Sequence, residues 1–321
     1  MKDKDLKYIY YGNSGSEIFA KLLNNLANKS NNTFKIFVPA YFCGQSLNYL
    51  RSLNVTLIFY KLTDALIPDY DYLNKFSFNK HEDAFLLVHF FGRIRGQKKA
   101  KEFVNSKGIY LIEDCAHVSG FNIPQKWLGD FIFFSPHKHF SIPKIGILFS
   151  KEELKMQNNE NIFEYSWYLK RFVKRIIFYR RKLKWGKIYN SEISEFKSLI
   201  PSSTLQNKAL KLIQRNDNLN QDKLFFLFDK IAKFSGWRPL INFSENDCPY
   251  LIPMICESKE IASRRFYLLN KKYQIVMQWP DIPFELKSLK DINKEIYQLV
   301  DTVLFFIIPN NQKKIIIVLN S

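Results

Sequence analysis

The chain reads as an α/β protein with a mostly parallel sheet, joined to a smaller C-terminal α+β domain. Three observations carry that reading. In the first half, short apolar runs bounded by turn residues alternate with helix-like segments. The runs are nearly continuous rather than alternating, as in parallel strands covered on both faces. After about residue 155 the texture becomes polar and basic, and then a second, shorter set of elements follows. The expected organisation is a large domain over 1–155, a helical segment over 156–215 and a small domain over 216–321.

Taken in order, the expected strands are Phe34–Val38, Val55–Tyr60, Ala84–Phe90, Ile109–Ile112, Phe131–Phe134 and Ile145–Phe149. Between them Glu17–Ala27, Ser46–Leu53 and Lys98–Ser106 read as helices. Alternation of this kind builds strand–helix–strand crossovers and hence a parallel sheet. Tyr165, Leu169, Phe172, Ile176, Tyr179 and Leu183 then recur at three- and four-residue steps, which is an amphipathic helix. Its other face carries Lys170, Arg171, Lys174, Arg175, Arg181 and Lys182, with no acid among them. A further helix is expected over Leu205–Arg215, opened by the capping-type residues Ser202–Thr204. The last third holds an apolar run Tyr250–Cys256, a helix near Lys259–Lys272 and a strand-like Ile275–Gln278.

Bulk composition narrows the function. With 321 residues and 46% hydrophobic content the chain can bury a substantial core. No run of eighteen apolar residues predicts a membrane-spanning helix. The opening MKDKDLKYIYYG has no apolar signal region, so the expected location is the cytoplasm. Cys43, Cys115, Cys248 and Cys256 show no CxxC pairing and read as reduced thiols, with no disulfide frame and no metal site. The net charge of +18 favours anionic partners, such as phosphorylated small molecules, a membrane surface or nucleic acid. The bland alternative is a Lys- and Asn-rich composition without a dedicated partner.

Ligands of open α/β sheets bind beyond the carboxyl ends of the strands, so the residues just after each strand are where chemistry is expected. Gly12, Ser14, Gly15 and Ser16 form a small-residue turn opening a helix, where free N–H groups and the positive dipole end suit a phosphate. The competing reading is an ordinary helix cap. After the strand ending at Ile112 come Glu113, Asp114 and His117, which either cap a helix or line one side of a flat ligand. After Phe134 comes SPHKHF, with Lys138 between His137 and His139. A lysine there is either a solvated loop residue or a desolvated amine of lowered pKa, competent for covalent chemistry.

Together these stretches resemble the DegT/DnrJ/EryC1/StrS family of sugar aminotransferases, within the fold-type-I pyridoxal-phosphate transferases. The matching motifs are GNSGS, VPAYFCG at Val38–Gly44, VHFFG at Val88–Gly92, IEDCAHVSG at Ile112–Gly120 and FSPHKHFSIPKIGILFS at Phe134–Ser150. SSTLQNKALKLI at Ser202–Ile213 resembles the family's interface helix, and WPDIP at Trp279–Pro283 and IPNNQ at Ile308–Gln312 its small-domain endings.

The resemblance implies pyridoxal 5'-phosphate as cofactor, joined covalently to Lys138, which also shuttles the reacting proton. It implies that Asp114 faces the pyridine nitrogen and keeps it protonated. It places His117 near the ring's 3′ oxygen, and Ser14, Gly15, Ser16 and Ser135 around the phosphate. Tyr41 or Phe42 is expected to stack on the ring. At least one of His137 and His139 is expected to be structural.

The implied reaction converts a nucleotide-linked keto sugar, most often the 4-keto form, to an amino sugar for a surface polysaccharide or related glycan. Glutamate is the implied donor and a homodimer the implied assembly. The sequence departs from the family in two places. SIPKIG stands where the family has a glycine-rich turn, with only Gly146 left, and SLIPSS stands where it has Asn-Tyr-Arg before the interface helix. Two other readings follow. One keeps the cofactor and performs a different reaction on the sugar, such as dehydration. The other is an inactive homologue whose basic helix, 165–187, contacts anionic membrane or nucleic acid. The helix could equally pack its apolar face on the protein, and no nucleic-acid module signature is present.

Overall fold

The computed structural model describes residues 6–120, 127–156, 159–160, 185–186, 189–195, 199–214, 227, 229–231, 233, 237–244, 247, 249–271, 273–279, 281–289, 296, 298–308 and 312–319. It is a mixed α/β protein built on a seven-stranded, mostly parallel sheet. That sheet uses β1 (Tyr8–Gly12), β2 (Phe34–Pro39), β3 (Val55–Tyr60), β4 (Asp83–Val88), β5 (Tyr110–Cys115), β6 (Phe131–Phe134) and β7 (Gly146–Ser150). Across the sheet the order is β1-β7-β6-β5-β4-β2-β3. Strands β2 to β6 pair in parallel; β7 runs antiparallel to both β6 and β1.

The near-continuous apolar runs become strands because both faces are covered. Phe131, Ile132, Phe133 and Phe134 are all buried, and every residue of β7 is buried. Helix α1 (Gly15–Ala27) lies on one face; Ser14 caps it by accepting from the Glu17 N–H at 3.1 Å. The short α2 (Tyr70–Leu73) follows β3, and α3 (Gln97–Lys107) ends at Gly108, whose left-handed φ of 69° stops the helix.

Two pairs of short parallel strands come next. In these, β8 (Asn159–Glu160) pairs with β10 (Leu199–Ile200), and β9 (Tyr189–Asn190) pairs with β14 (Ile282–Pro283). A four-stranded sheet holds β11 (Trp237–Pro239), β12 (Leu251–Cys256), β15 (Val303–Ile307) and β13 (Val276–Met277), in that order. Helices α4 (Ser203–Gln214), α5 (Lys259–Leu269) and α6 (Gln312–Leu319) complete the described elements used below.

Several expectations change. The strand expected to end at Ile112 runs on to Cys115, so Glu113 and Asp114 lie within it, and the strand expected to reach Phe90 ends at Val88, before a 3-10 turn over Phe90–Gly92. Ser46–Leu53 is not one helix but two single-turn 3-10 segments, Gly44–Leu47 and Leu50–Ser52. The Asn48 carbonyl, which a helix would spend on its own backbone, instead accepts from the Ser194 N–H at 2.9 Å. Strand β1 was hidden by its charged surroundings and becomes visible only through its pairing with β7. The helix near Lys259–Lys272 stops at Leu269, where the Asn270 side chain accepts from the Ile275 and Val276 N–H groups. The basic helix expected at 165–187 lies outside the described residues, apart from 185–186.

Gly146 shows how the fold positions the functional end of the sheet. A Cβ there would lie 2.3 Å from the Ser14 carbonyl oxygen, so β7 can pass under the turn only as glycine. Gly146→Ala is expected to cost about 1–3 kcal/mol, as forced overpacking does. Urea unfolding of the variant checks this; an unchanged midpoint would show that the turn is not clamped.

Candidate active site

Because β1, β2, β4, β5 and β6 point the same way, the residues after each of them converge at one end of the sheet. A cavity of about 520 Å³ opens there, within the range of small-molecule sites. Ser14, Gly15 and Ser16 line it after β1, Phe42 and Cys43 after β2, and His89 and Phe90 after β4. Asp114, Ala116 and His117 line it at the end of β5, and Ser135, His137 and Lys138 after β6. Tyr250, Met277 and Trp279 close it from the side of the four-stranded sheet.

The turn and β6 fit closely. A Cβ on Gly15 would lie 2.0 Å from the Ser135 Oγ, so glycine is required for the two to meet. Gly15 and Ser16 begin α1, whose first-turn N–H groups have no partner within the helix. Ser14 takes up the Glu17 N–H, and the earlier first-turn N–H groups beside the buried Ser135 form a cradle for an anion.

Asp114 is buried, and its Oδ1 accepts from the Ala116 N–H at 2.8 Å. Burial raises its pKa, and the Lys138 charge pulls it back down. Lys138 is open to the cavity and enclosed by protein beyond it. Burial lowers its pKa, and Asp114 and then Cys43 raise it again. The two groups are thus each other's main electrostatic support in a poorly solvated space.

The histidines are kept neutral by the same environment. Burial and the Lys138 charge push His117 well below its usual range, His137 to about 4 and His139 to about 3. His117 Nδ1 accepts from the Phe91 N–H at 3.3 Å, so the proton of the neutral ring sits on Nε2. His139 leaves a buried Nε2 without a partner among the described residues.

Behind Asp114 lies a second carboxylate with a different task. Glu113 Oε2 accepts from His89 Nε2 and Gln97 Nε2, each at 2.7 Å, and Oε1 accepts from the Leu128 N–H at 3.0 Å and the Gly129 N–H at 2.5 Å. Burial opposes its charge, but these donors and the His89 charge hold its pKa below the usual value. Adjacent acids on one strand therefore face opposite ways, one saturated by donors and one turned to the cavity.

Of the residues expected at the site, Ser14, Gly15, Ser16, Phe42, Asp114, His117, Ser135 and Lys138 all line this cavity. Tyr41 does not. Its buried ring stacks on Trp279 at 4.4 Å and borders a separate cavity of about 300 Å³. Alternation along the chain turns Phe42, not Tyr41, to the site. Sequence reading passed over His89, Cys43 and Tyr250. His89 stands directly after β4 and the strand-end rule reaches it; Tyr250 is far away in sequence and only the tertiary fold brings it here. Cys43 donates to Asp281 Oδ1 at 3.1 Å, and burial with that carboxylate pushes its thiol up to about 12.

The mixed α/β fold with its seven-stranded, mostly parallel sheet is the fold of the solved structures named below. Residues 66–221 match the sequence model of the DegT/DnrJ/EryC1/StrS aminotransferase family, and this is the family to which the motifs point. No curated protein matches the chain by sequence.

Similar solved structures include NtdA from Bacillus subtilis with bound cofactor PMP, 16% identical, with a TM-score of 0.63 over 98% of this chain and 74% of that one. PseC from Helicobacter pylori, an aminotransferase involved in pseudoaminic acid biosynthesis, is 14% identical, with a TM-score of 0.61 over 98% and 86%. The Escherichia coli GDP-4-keto-6-deoxy-D-mannose-3-dehydratase with bound hydrated PLP is 16% identical, with a TM-score of 0.65 over 99% and 88%. NtdA carries PMP, and the dehydratase carries, in hydrated form, pyridoxal phosphate, the cofactor the motifs imply. The residues here fit it: an anion cradle at Gly15 and Ser135, an acid at Asp114 and an amine at Lys138 line one cavity. Among the described residues no helix is long and apolar enough to cross a membrane, and no His, Cys, Asp and Glu group could hold a metal ion.

Glu113→Ala is expected to cost about 3 kcal/mol or more, because His89, Gln97 and two backbone N–H groups lose their acceptor in the core. Chemical denaturation measures it. Acid dependence follows from the lowered pKa. Glu113's contribution is fully present above its unfolded value of about 4.3 and is lost as pH falls through the lower folded value. An acid-unfolding curve that does not move in the variant would contradict this.

Proposed function

We propose that this chain is a pyridoxal-phosphate aminotransferase acting on a nucleotide-linked keto sugar. The 4-keto position, glutamate as amino donor, a cytoplasmic homodimer and a role in surface polysaccharide or glycan synthesis complete the reading. The observation that carries it is the single cavity in which Lys138 faces Asp114 beside the Gly15–Ser135 cradle. When bound, the cofactor supplies an electron sink for the carbon that loses a proton.

The chain's own residues do the rest. Lys138, with its pKa lowered by burial, can take a proton and return it. Asp114 offers a fixed negative charge for a protonated ring nitrogen. His117 donates from Nε2 while remaining neutral. The first N–H groups of α1 and Ser135 would hold the phosphate, and Phe42 would offer a ring face. The chain's net charge of +18 suits a diphosphate-bearing substrate. We assign the boundaries 1–155, 156–215 and 216–321 to the large domain, the connecting helical segment and the small domain.

Dehydration of the sugar is the second reading, favoured by the changed segment SIPKIG after Lys138 and by the likeness to a 3-dehydratase. Nitrogen-15 glutamate with candidate keto sugars separates the two. The aminotransferase reading expects the label in the sugar product. Labelled ammonia with an unaminated sugar would favour dehydration. Lys138→Ala is expected to lose at least a thousandfold of the transfer rate, given the general-base role; a loss below tenfold would remove Lys138 from it.

A further inference from the structure

Tyr250 reaches the cavity from the loop before β12, on the opposite side from the strand ends. Its backbone is tied at both ends. Its N–H donates to the Phe91 carbonyl at 2.8 Å, and its own carbonyl accepts from the Ile308 N–H at 3.2 Å. Upstream, Arg95 grips Asp247 with two bonds, of 3.0 and 2.8 Å, and Asp247 also accepts from the Ser244 N–H at 2.7 Å. The ring so held meets three groups of the site. It stacks on His117 at 4.9 Å with an interplanar angle of 28°, lies 5.1 Å from the His139 ring, and has the Lys138 Nζ 5.9 Å from its centroid.

Phe91 completes the arrangement. Its φ of 61° is left-handed, a conformation a bulky residue adopts only when its surroundings impose it. In that conformation its N–H reaches His117 Nδ1 and its carbonyl reaches Tyr250. One peptide segment therefore fixes the imidazole and the phenol against each other. The Tyr250 phenol is itself pushed up by burial, so it stays protonated and offers a ring face rather than a base.

We propose that Tyr250 is a positioning residue of the reaction centre. The face of its ring holds the Lys138 amine in its free, charged state, and its stacking holds His117 in one orientation. This rests on Lys138 being the reacting amine. Other groups face that amine as well: Asp114 and Cys43 favour its charge, whereas His117, His137 and His139 are held neutral, first by their burial and then by the Lys138 charge. Tyr250 adds an uncharged, non-titrating support from the other sheet. It thereby ties the amine to the placement of the four-stranded sheet over the cavity.

The test measures the pH dependence of Lys138 acylation by acetic anhydride in the full chain without added cofactor, mapped by peptide mass spectrometry. Tyr250→Phe keeps the ring and is expected to titrate with the wild-type midpoint. Tyr250→Leu is expected to lower the midpoint by about half to one pH unit, the size of a partly desolvated cation–ring contact. A fluorinated phenylalanine series at position 250 keeps the shape while weakening the ring face, and should shift the midpoint stepwise even if the leucine variant does not fold. Midpoints that ignore fluorination, or an equal shift in Tyr250→Phe, would overturn the proposal. Because no cofactor enters the measurement, a failed cofactor assignment shows separately, as no covalent capture at Lys138.

Discussion

The mutual dependence of Asp114 and Lys138 is the constraint around which the rest of the site is arranged. Each is enclosed by protein, and burial alone drives both toward their neutral forms. Each restores part of the other's charge. Such a pair is costly to keep unless the backbone around it is rigid and its other polar atoms are satisfied. The sheet supplies the rigidity: β5 and β6 are neighbours, and Asp114 pairs with Phe133 in register. The Ala116 N–H satisfies one carboxylate oxygen and leaves the other side of Asp114 for the cavity.

Several features follow from that constraint. The neighbouring histidines are neutral first because they are buried and then because the Lys138 cation stands beside them. Glu113, one residue before Asp114, is turned away and saturated with donors, so its charge does not compete at the cavity. The anion cradle at Gly15 and Ser135 lies where α1 meets β6. The four-stranded sheet contributes aromatic rings rather than charges: Tyr250 and Trp279 close the cavity without adding a titrating group near neutral pH.

The parts of this arrangement that were legible in the sequence are those that depend on local order. A strand followed at once by an acid, or by a lysine, is visible as a pattern, and parallel topology forces such ends together. Asp114 and Lys138 were found that way; Ser14 and Gly15 were legible as a small-residue turn opening a helix, and Ser135 entered only through the family resemblance. Ser46–Leu53 was misread because the Asn48 carbonyl is bonded by Ser194, 146 positions further on, which no local pattern encodes. Tyr41 and Phe42 differ by a single step in an irregular segment, where a one-residue error reverses the face. Tyr250 is set by a hydrogen bond to Phe91 across two sheets.

Covalent capture at Lys138 tests the central claim most directly. The full chain is incubated with pyridoxal phosphate, reduced with borohydride and digested, and the modified residue is located by mass spectrometry. The account predicts one dominant label, on Lys138, that disappears in Lys138→Ala. A label spread over surface lysines, or none at Lys138, would contradict it and leave the cavity without its assigned chemistry.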